Sequence, residues 1–78
     1  MLSPVTVYSK PHCRQCTATK RRLTEKGVPF TEEDIREPGN LAAAKALGHL
    51  VAPVVVVGRE SWAGYRPDLI DELVKARG

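Results

Sequence analysis

The stretch VTVYSKPHCRQCTATKRRLTEK, residues 5–26, passes through three kinds of residue in turn. Val5-Thr6-Val7-Tyr8 is β-branched and aromatic and reads as a strand. Ser9 to His12 reads as a turn punctuated by Pro11. Cys13 to about Lys26 carries helix-tolerant residues, and Gly27 suits the position just past a helix end. The apolar stripe of this helix is thin, with Ala18 and Leu23 its main members. Its boundaries therefore argue for it better than its period does. The two cysteines, Cys13 and Cys16, fall in its first turn.

Outward from this unit, Val28-Pro29-Phe30-Thr31 through Ile35 reads as a second strand, and Pro29 places it at a sheet edge. Strand, helix and strand in this order predict a right-handed crossover with parallel strands. Asn40 is expected to cap a second helix over Leu41 to Leu47, stopped by Gly48. Pro53 leads into Val54-Val55-Val56-Val57, whose unbroken apolar character predicts a central strand buried on both faces. Ser61 and Trp62 form a short fourth strand, a hairpin partner for the valines. Pro67 fits the first turn of a last helix. There Leu69, Ile70, Leu73 and Val74 make a one-sided apolar stripe. The expected order is β-α-β-α-β-β-α: an α/β fold with a four-stranded mixed sheet and three helices, in one domain over residues 1–78.

The spacing of Cys13-Arg14-Gln15-Cys16 admits three chemistries. A structural disulfide would close a loop of a few residues and restrict the unfolded chain little. A zinc site needs four ligands, and His12 and His49 do not stand at finger spacing. A dithiol–disulfide catalyst fits the local geometry best. Cys13 at a helix start meets free backbone N–H groups and the positive end of the helix dipole. Lys10 and Arg14 add positive charge, and such surroundings favour a thiolate at neutral pH. Cys16, one turn on, lies beneath it. C-x-x-C near a β-α-β pattern reads as a thioredoxin-like redox motif.

Totals set the outer limits. At 78 residues, 42% hydrophobic and 27% charged, the composition is that of an ordinary soluble globular chain. Charged residues interrupt each apolar stretch well short of the roughly 18 residues of a membrane span. Met1-Leu2-Ser3-Pro4 lacks the basic and apolar regions of a secretory signal, so a cytoplasmic protein is expected. Twelve basic and nine acidic residues give a net charge of +3. The excess is local: Lys10, Arg14, Lys20, Arg21, Arg22 and Lys26 gather on or near the first helix. A solvated helix face commonly has this pattern; the functional alternative is steering toward an acidic protein surface. Nucleic-acid binding is not expected, because no aromatic residues interleave with the basic ones.

Three stretches together resemble the NrdH-redoxins. Tyr8-Ser9-Lys10 with Cys13 to Lys20 is similar to their active-site segment, and Ala52-Pro53-Val54-Val55 to their proline-led strand. Ser61-Trp62-Ala63-Gly64-Tyr65-Arg66-Pro67-Asp68 resembles their W-S-G-F-R-P-D signature, with Ala63 for serine and Tyr65 for phenylalanine. Arg14 departs from the aliphatic residue that members often carry. The resemblance implies a thioredoxin/glutaredoxin fold and a cis peptide at Ala52-Pro53 facing the cysteines. It also implies that Trp62 and Arg66 order the loop beside them. It implies a thiol–disulfide oxidoreductase that delivers electrons to class Ib ribonucleotide reductase and draws them from NADPH through thioredoxin reductase.

On this reading Cys13 and Cys16 are the catalytic pair and form the redox-active disulfide. Lys10, Arg14, Gln15, Thr17, Ala52, Pro53, Trp62, Gly64 and Arg66 support the pair or meet the partner. Lys10 would support the thiolate, and Thr17 would bond near the thiol or to its own helix backbone. His49 is expected to favour the end of the second helix. A monomer with no metal and no bound cofactor is expected. Two alternatives stand beside this reading: a glutathione-coupled glutaredoxin or mycoredoxin-like reductase, and a zinc- or redox-responsive binding module. Against the first, Arg66 falls where glutaredoxins place an acid for the glutathione amino group, and like charges there disfavour binding.

Overall fold

The computed structural model describes residues 3–77. Its elements are β1 (Val5–Ser9), α1 (Arg14–Glu25), β2 (Thr31–Asp34), α2 (Pro38–Ala46), β3 (Val54–Val57), β4 (Glu60–Ala63) and α3 (Pro67–Arg77). The element order is the expected one. The sheet runs β2-β1-β3-β4. β1 and β2 are parallel, with Ser9 opposite Asp34. β3 is antiparallel to β1, with Tyr8 opposite Val54, and to β4, with Val54 opposite Ala63. The strand beginning near Pro29 is thus an edge strand and the valine run an inner one, as read from the sequence.

Strand alternation explains the two cores. Val5 and Val7 point to the face where Leu23 of α1, Ile70 of α3, Val28, Val55 and Trp62 pack. On the opposite face Val54 meets Ala44 of α2 and Ile35, with Tyr8 and Leu41 against them. Val54 and Val55, both fully buried, serve one face each. Each fully buried aliphatic side chain contributes roughly 1.5–3 kcal/mol. The stripe of the last helix is used as expected: Ile70 is fully buried, and Leu69, Leu73 and Val74 flank it. Arg22 donates to both carboxylate oxygens of Asp71 at 2.9 and 2.8 Å, tying α1 to α3.

Four local expectations need correction. First, α2 begins earlier, at Pro38, with Glu37 as its N-cap. Proline preset for the first helical position outweighs asparagine here. Asn40 lies inside the helix, and its amide donates back to the Asp34 carbonyl at 2.9 Å. Second, the buried residues of α1 are Cys16, Thr19 and Leu23, while Ala18 is only partly buried. Thr19 can be buried because its hydroxyl donates to the Gln15 carbonyl at 2.8 Å. Third, β2 is shorter than read, since regular pairing starts only at Thr31, after Pro29. Fourth, His49 does more than sit at the end of α2, where its backbone N–H donates to the Ala44 carbonyl at 3.0 Å: its Nε2 lies 2.8 Å from the Ser61 hydroxyl of β4. Gly27 and Gly48, at φ +71° and +86°, follow α1 and α2 as read.

Candidate active site

Sheet register brings three distant segments to one end of the molecule. β1 finishes at Ser9 and releases the chain into Lys10-Pro11-His12. The turn passes through the left-handed region at His12, φ 56°, and delivers Cys13 to the start of α1. Because Val54 lies opposite Tyr8, Ala52-Pro53 stands beside this same end. Because Ala63 lies opposite Val54, the chain leaves β4 there too. Two hydrogen bonds fasten the convergence. Gly64 N donates to the Pro53 carbonyl at 2.8 Å, and Tyr65 N to Gln15 Oε1 at 3.0 Å. Pro53 is buried, and its peptide bond with Ala52 is cis, as the resemblance implied.

Cys13 and Cys16 are joined in a disulfide, with 5.2 Å between their Cα atoms. Cys13 is the N-cap of α1, in extended backbone conformation, and its sulfur accepts from Cys16 N at 3.2 Å. Here a sulfur takes the place usually held by a serine or aspartate oxygen. After reduction, the same N–H and the helix dipole would favour negative charge on that sulfur. The pair is unequally exposed: Cys13 is partly exposed, whereas Cys16 is 1% exposed on the inner face of α1. Thr17 takes the second option read for it. Its hydroxyl donates to the Cys13 carbonyl at 3.2 Å, within its own helix.

Around this pair the charges sort themselves. Lys10 and Arg14 are exposed and make no ion pair among the described residues. Ser9, buried at the end of β1, donates to Glu32, which also receives Lys20 at 2.8 Å. Lys20 first and Ser9 second hold the Glu32 carboxyl below its usual range. Arg66 is not a lone cation. Its guanidinium meets Asp68 at 2.9 Å, and this neighbour keeps the Asp68 carboxyl below the ordinary value. The loop therefore presents an engaged ion pair. Trp62 is a core residue, 8% exposed, packed with Val55 and Ile70.

Of the residues read from the sequence, Cys13, Gln15, Cys16, Pro53 and Gly64 are brought together by this geometry. Lys10, Arg14 and Thr17 border it on the outer side of α1. Trp62 lies beneath it, and Arg66 lies just beyond Tyr65, turned to Asp68. Four participants went unread: Ser9, Glu32, Asp68 and the Tyr65 amide. Arg66-Pro67-Asp68 does hold a local signal, since an arginine two residues before an acid can pair with it. Gln15 and Tyr65 are 50 residues apart, and no local pattern announces their bond. Among the described residues no group of three or more His, Cys, Asp or Glu side chains is placed to hold a metal ion.

Comparison with known proteins adds an independent observation. The Glutaredoxin family model matches residues 5–62. The glutaredoxin-like protein NrdH of Escherichia coli K12 is 40% identical over 70 residues, covering 88% of this chain and 86% of that protein. NrdH of Lactococcus lactis subsp. cremoris is 36% identical over 70 residues, covering 88% of this chain and 97% of its own. The solved structure of the Escherichia coli NrdH-redoxin, a glutaredoxin-like protein with a thioredoxin-like activity profile, superposes with a TM-score of 0.84. It is 39% identical and covers 90% of this chain and 93% of its own.

Proposed function

This chain belongs to the glutaredoxin family, among its NrdH-redoxins, and we propose that it is the electron donor to a class Ib ribonucleotide reductase. It has the thioredoxin-like fold and is a dithiol–disulfide oxidoreductase of the C-x-x-C type. In our reading residues 1–78 act as one domain and one monomer in the cytoplasm. No described helix is long and apolar enough to cross a membrane.

The unequal burial of the two cysteines carries the mechanism. The partly exposed Cys13 thiolate attacks one sulfur of the target disulfide, forming a mixed disulfide and releasing the other sulfur as a thiolate. Cys16, shielded from solvent one turn along α1, then gives up its proton and attacks Cys13 Sγ. The second target sulfur leaves and takes up a proton. Two electrons and the Cys16 proton pass to the target, whose first thiolate takes its proton from water, and the Cys13–Cys16 disulfide remains. Thioredoxin reductase, fed by NADPH, returns the pair to the dithiol. The Gln15–Tyr65 and Gly64–Pro53 bonds hold the loop and the proline-led strand beside the attacking sulfur, where a target chain lies. Glutathione competes poorly, because its ammonium would have to break the Arg66–Asp68 pair to gain a carboxylate.

Trapping tests the roles. Reduced Cys16→Ser protein mixed with a disulfide-containing ribonucleotide reductase accumulates a mixed disulfide through Cys13, detected as a dithiothreitol-sensitive adduct on a non-reducing gel. Cys13→Ser protein forms little. Equal adducts from both variants, or adduct through Cys16 alone, would overturn the assignment.

A further inference from the structure

Apart from Lys26 at the C-cap, the cations on or near the first helix fall into two groups. Lys20 and Arg22 turn toward the protein, to Glu32 and Asp71 at 2.8 Å each. Lys10, Arg14 and Arg21 are exposed and make no ion pair among the described residues. These three, with His12, Thr17, Cys13 itself and the Glu32-paired Lys20, line an open groove of about 570 Å³ that runs along α1. No carboxylate lines it. Uncompensated cations beside the sulfur favour its thiolate and also attract a negatively charged partner.

We propose that this groove docks an acidic polypeptide segment next to the target disulfide. The proposal rests on the reading of Cys13 as the attacking sulfur. Spacing makes it specific. Arg14 and Arg21 are seven residues apart on one helix, about 10 Å along its axis. An extended chain advances about 3.3 Å per residue, so about three residues cover that distance. An acid adjacent to the target cysteine meets Arg14 and Lys10, and a second acid about three residues further out meets Arg21. A polypeptide is favoured over a nucleic acid because no Phe, Tyr or Trp lines the groove, and single strands are held largely by base stacking. Separately, each such exposed pair is weak. Together they raise the encounter rate and set the register of the target.

The test uses the reduced protein and cyclic disulfide peptides identical except for four residues on one side of the disulfide. These read Asp-Ser-Ser-Asp, Ser-Ser-Ser-Ser or Lys-Ser-Ser-Lys, on either flank in separate peptides. At low salt the acidic peptide on the favoured flank is reduced about tenfold faster than the basic one, with the serine peptide between them. Near 1 M salt, where the Debye length is about 3 Å, the three rates converge. In Arg21→Glu protein the acidic-to-basic ratio falls severalfold. Equal rates for all three peptides at low salt would overturn the groove and leave the oxidoreductase reading standing. Failure to reduce even the serine peptide would overturn the oxidoreductase reading itself. A single-stranded oligonucleotide that competes more strongly than polyglutamate of equal charge would assign the groove to nucleic acid and also overturn the proposal.

Discussion

Gly64 and Gln15 form the contact on which the loop beside the cysteines depends, and it can be taken apart by a double-mutant cycle. Gly64 has φ +85°, and a Cβ built there would stand 3.2 Å from Gln15 Oε1, the atom that accepts from Tyr65 N. Gly64→Ala therefore has two separable costs. The left-handed backbone costs roughly 1–2 kcal/mol with a Cβ, offset by about 0.4–1 kcal/mol of lost unfolded-state freedom. The second cost is displacement of Gln15, which forfeits a hydrogen bond with a net contribution of about 0.5–1.5 kcal/mol. The single variant should lose about 0.5–3 kcal/mol. Gln15→Ala alone should lose about 0.5–1.5 kcal/mol. With Ala at position 15 the added methyl has no carbonyl oxygen to meet, so Gly64→Ala in that background shows only the backbone cost. The coupling should be about 0.5–1.5 kcal/mol, the double variant being more stable than the sum of the singles. At a urea m-value near 1 kcal/mol/M this is a midpoint difference of about 0.5–1.5 M. Urea unfolding of the four proteins measures it. A coupling within about 0.3 kcal/mol of zero would show that the 3.2 Å contact has no energetic consequence.

Three further outcomes follow from the same geometry. With single-cysteine variants at neutral pH, iodoacetamide should modify Cys13 at least about tenfold faster than Cys16; the helix start favours its thiolate by roughly 0.3–2 kcal/mol and Cys16 is 1% exposed. In urea the two rates should become similar, and equal rates in the folded state would contradict the assigned roles. Leu23→Ala, which empties a fully buried position between α1 and the sheet, should lose about 2–5 kcal/mol at unchanged m-value, and a loss below about 1 kcal/mol would mean that α1 is not anchored there. Hydrogen bonds from the Arg36 side chain, then its backbone N–H, lower the Asp34 carboxyl to about 2 from 3.8. That stabilisation is fully present above the unfolded value and fades as pH falls from about 4 toward 2. Asp34→Asn should flatten this acid limb of the denaturation midpoint, and an unchanged limb would contradict the assignment.

What could be read from the residues divides along physical lines. The valine strand and the last helix were legible because each carries its burial pattern locally, and Gly27 and Gly48 because left-handed backbone favours glycine. Cys13 and Cys16 were legible because a strand, a proline turn and a helix start frame them. The start of α2 was misread because Pro38 and Asn40 are both initiation signals, and the sequence does not rank them. The inner face of α1 was read in part: Cys16 lies beneath Cys13 as expected, but Thr19 was missed because an apolar count passes over a threonine whose hydroxyl bonds within its helix. The exact extent of β2 was hidden, since Thr31-Glu32-Glu33-Asp34 pairs with β1 through its backbone and shows little apolar alternation. Bonds between segments far apart in the chain, Gln15 to Tyr65 and His49 to Ser61, had no local signature at all.

In the proposed reading, electron flow runs from NADPH through thioredoxin reductase to this dithiol and on to ribonucleotide reductase. It is tested most directly by supplying the oxidised protein with NADPH through two routes, thioredoxin reductase or glutathione with its reductase, at matched electron supply. NADPH consumption is followed with a disulfide-containing class Ib ribonucleotide reductase as the final acceptor. Fast turnover is expected with thioredoxin reductase and severalfold slower turnover with glutathione, whose ammonium meets a carboxylate already engaged in the exposed Arg66–Asp68 pair. Equal or faster turnover through glutathione would contradict this reading.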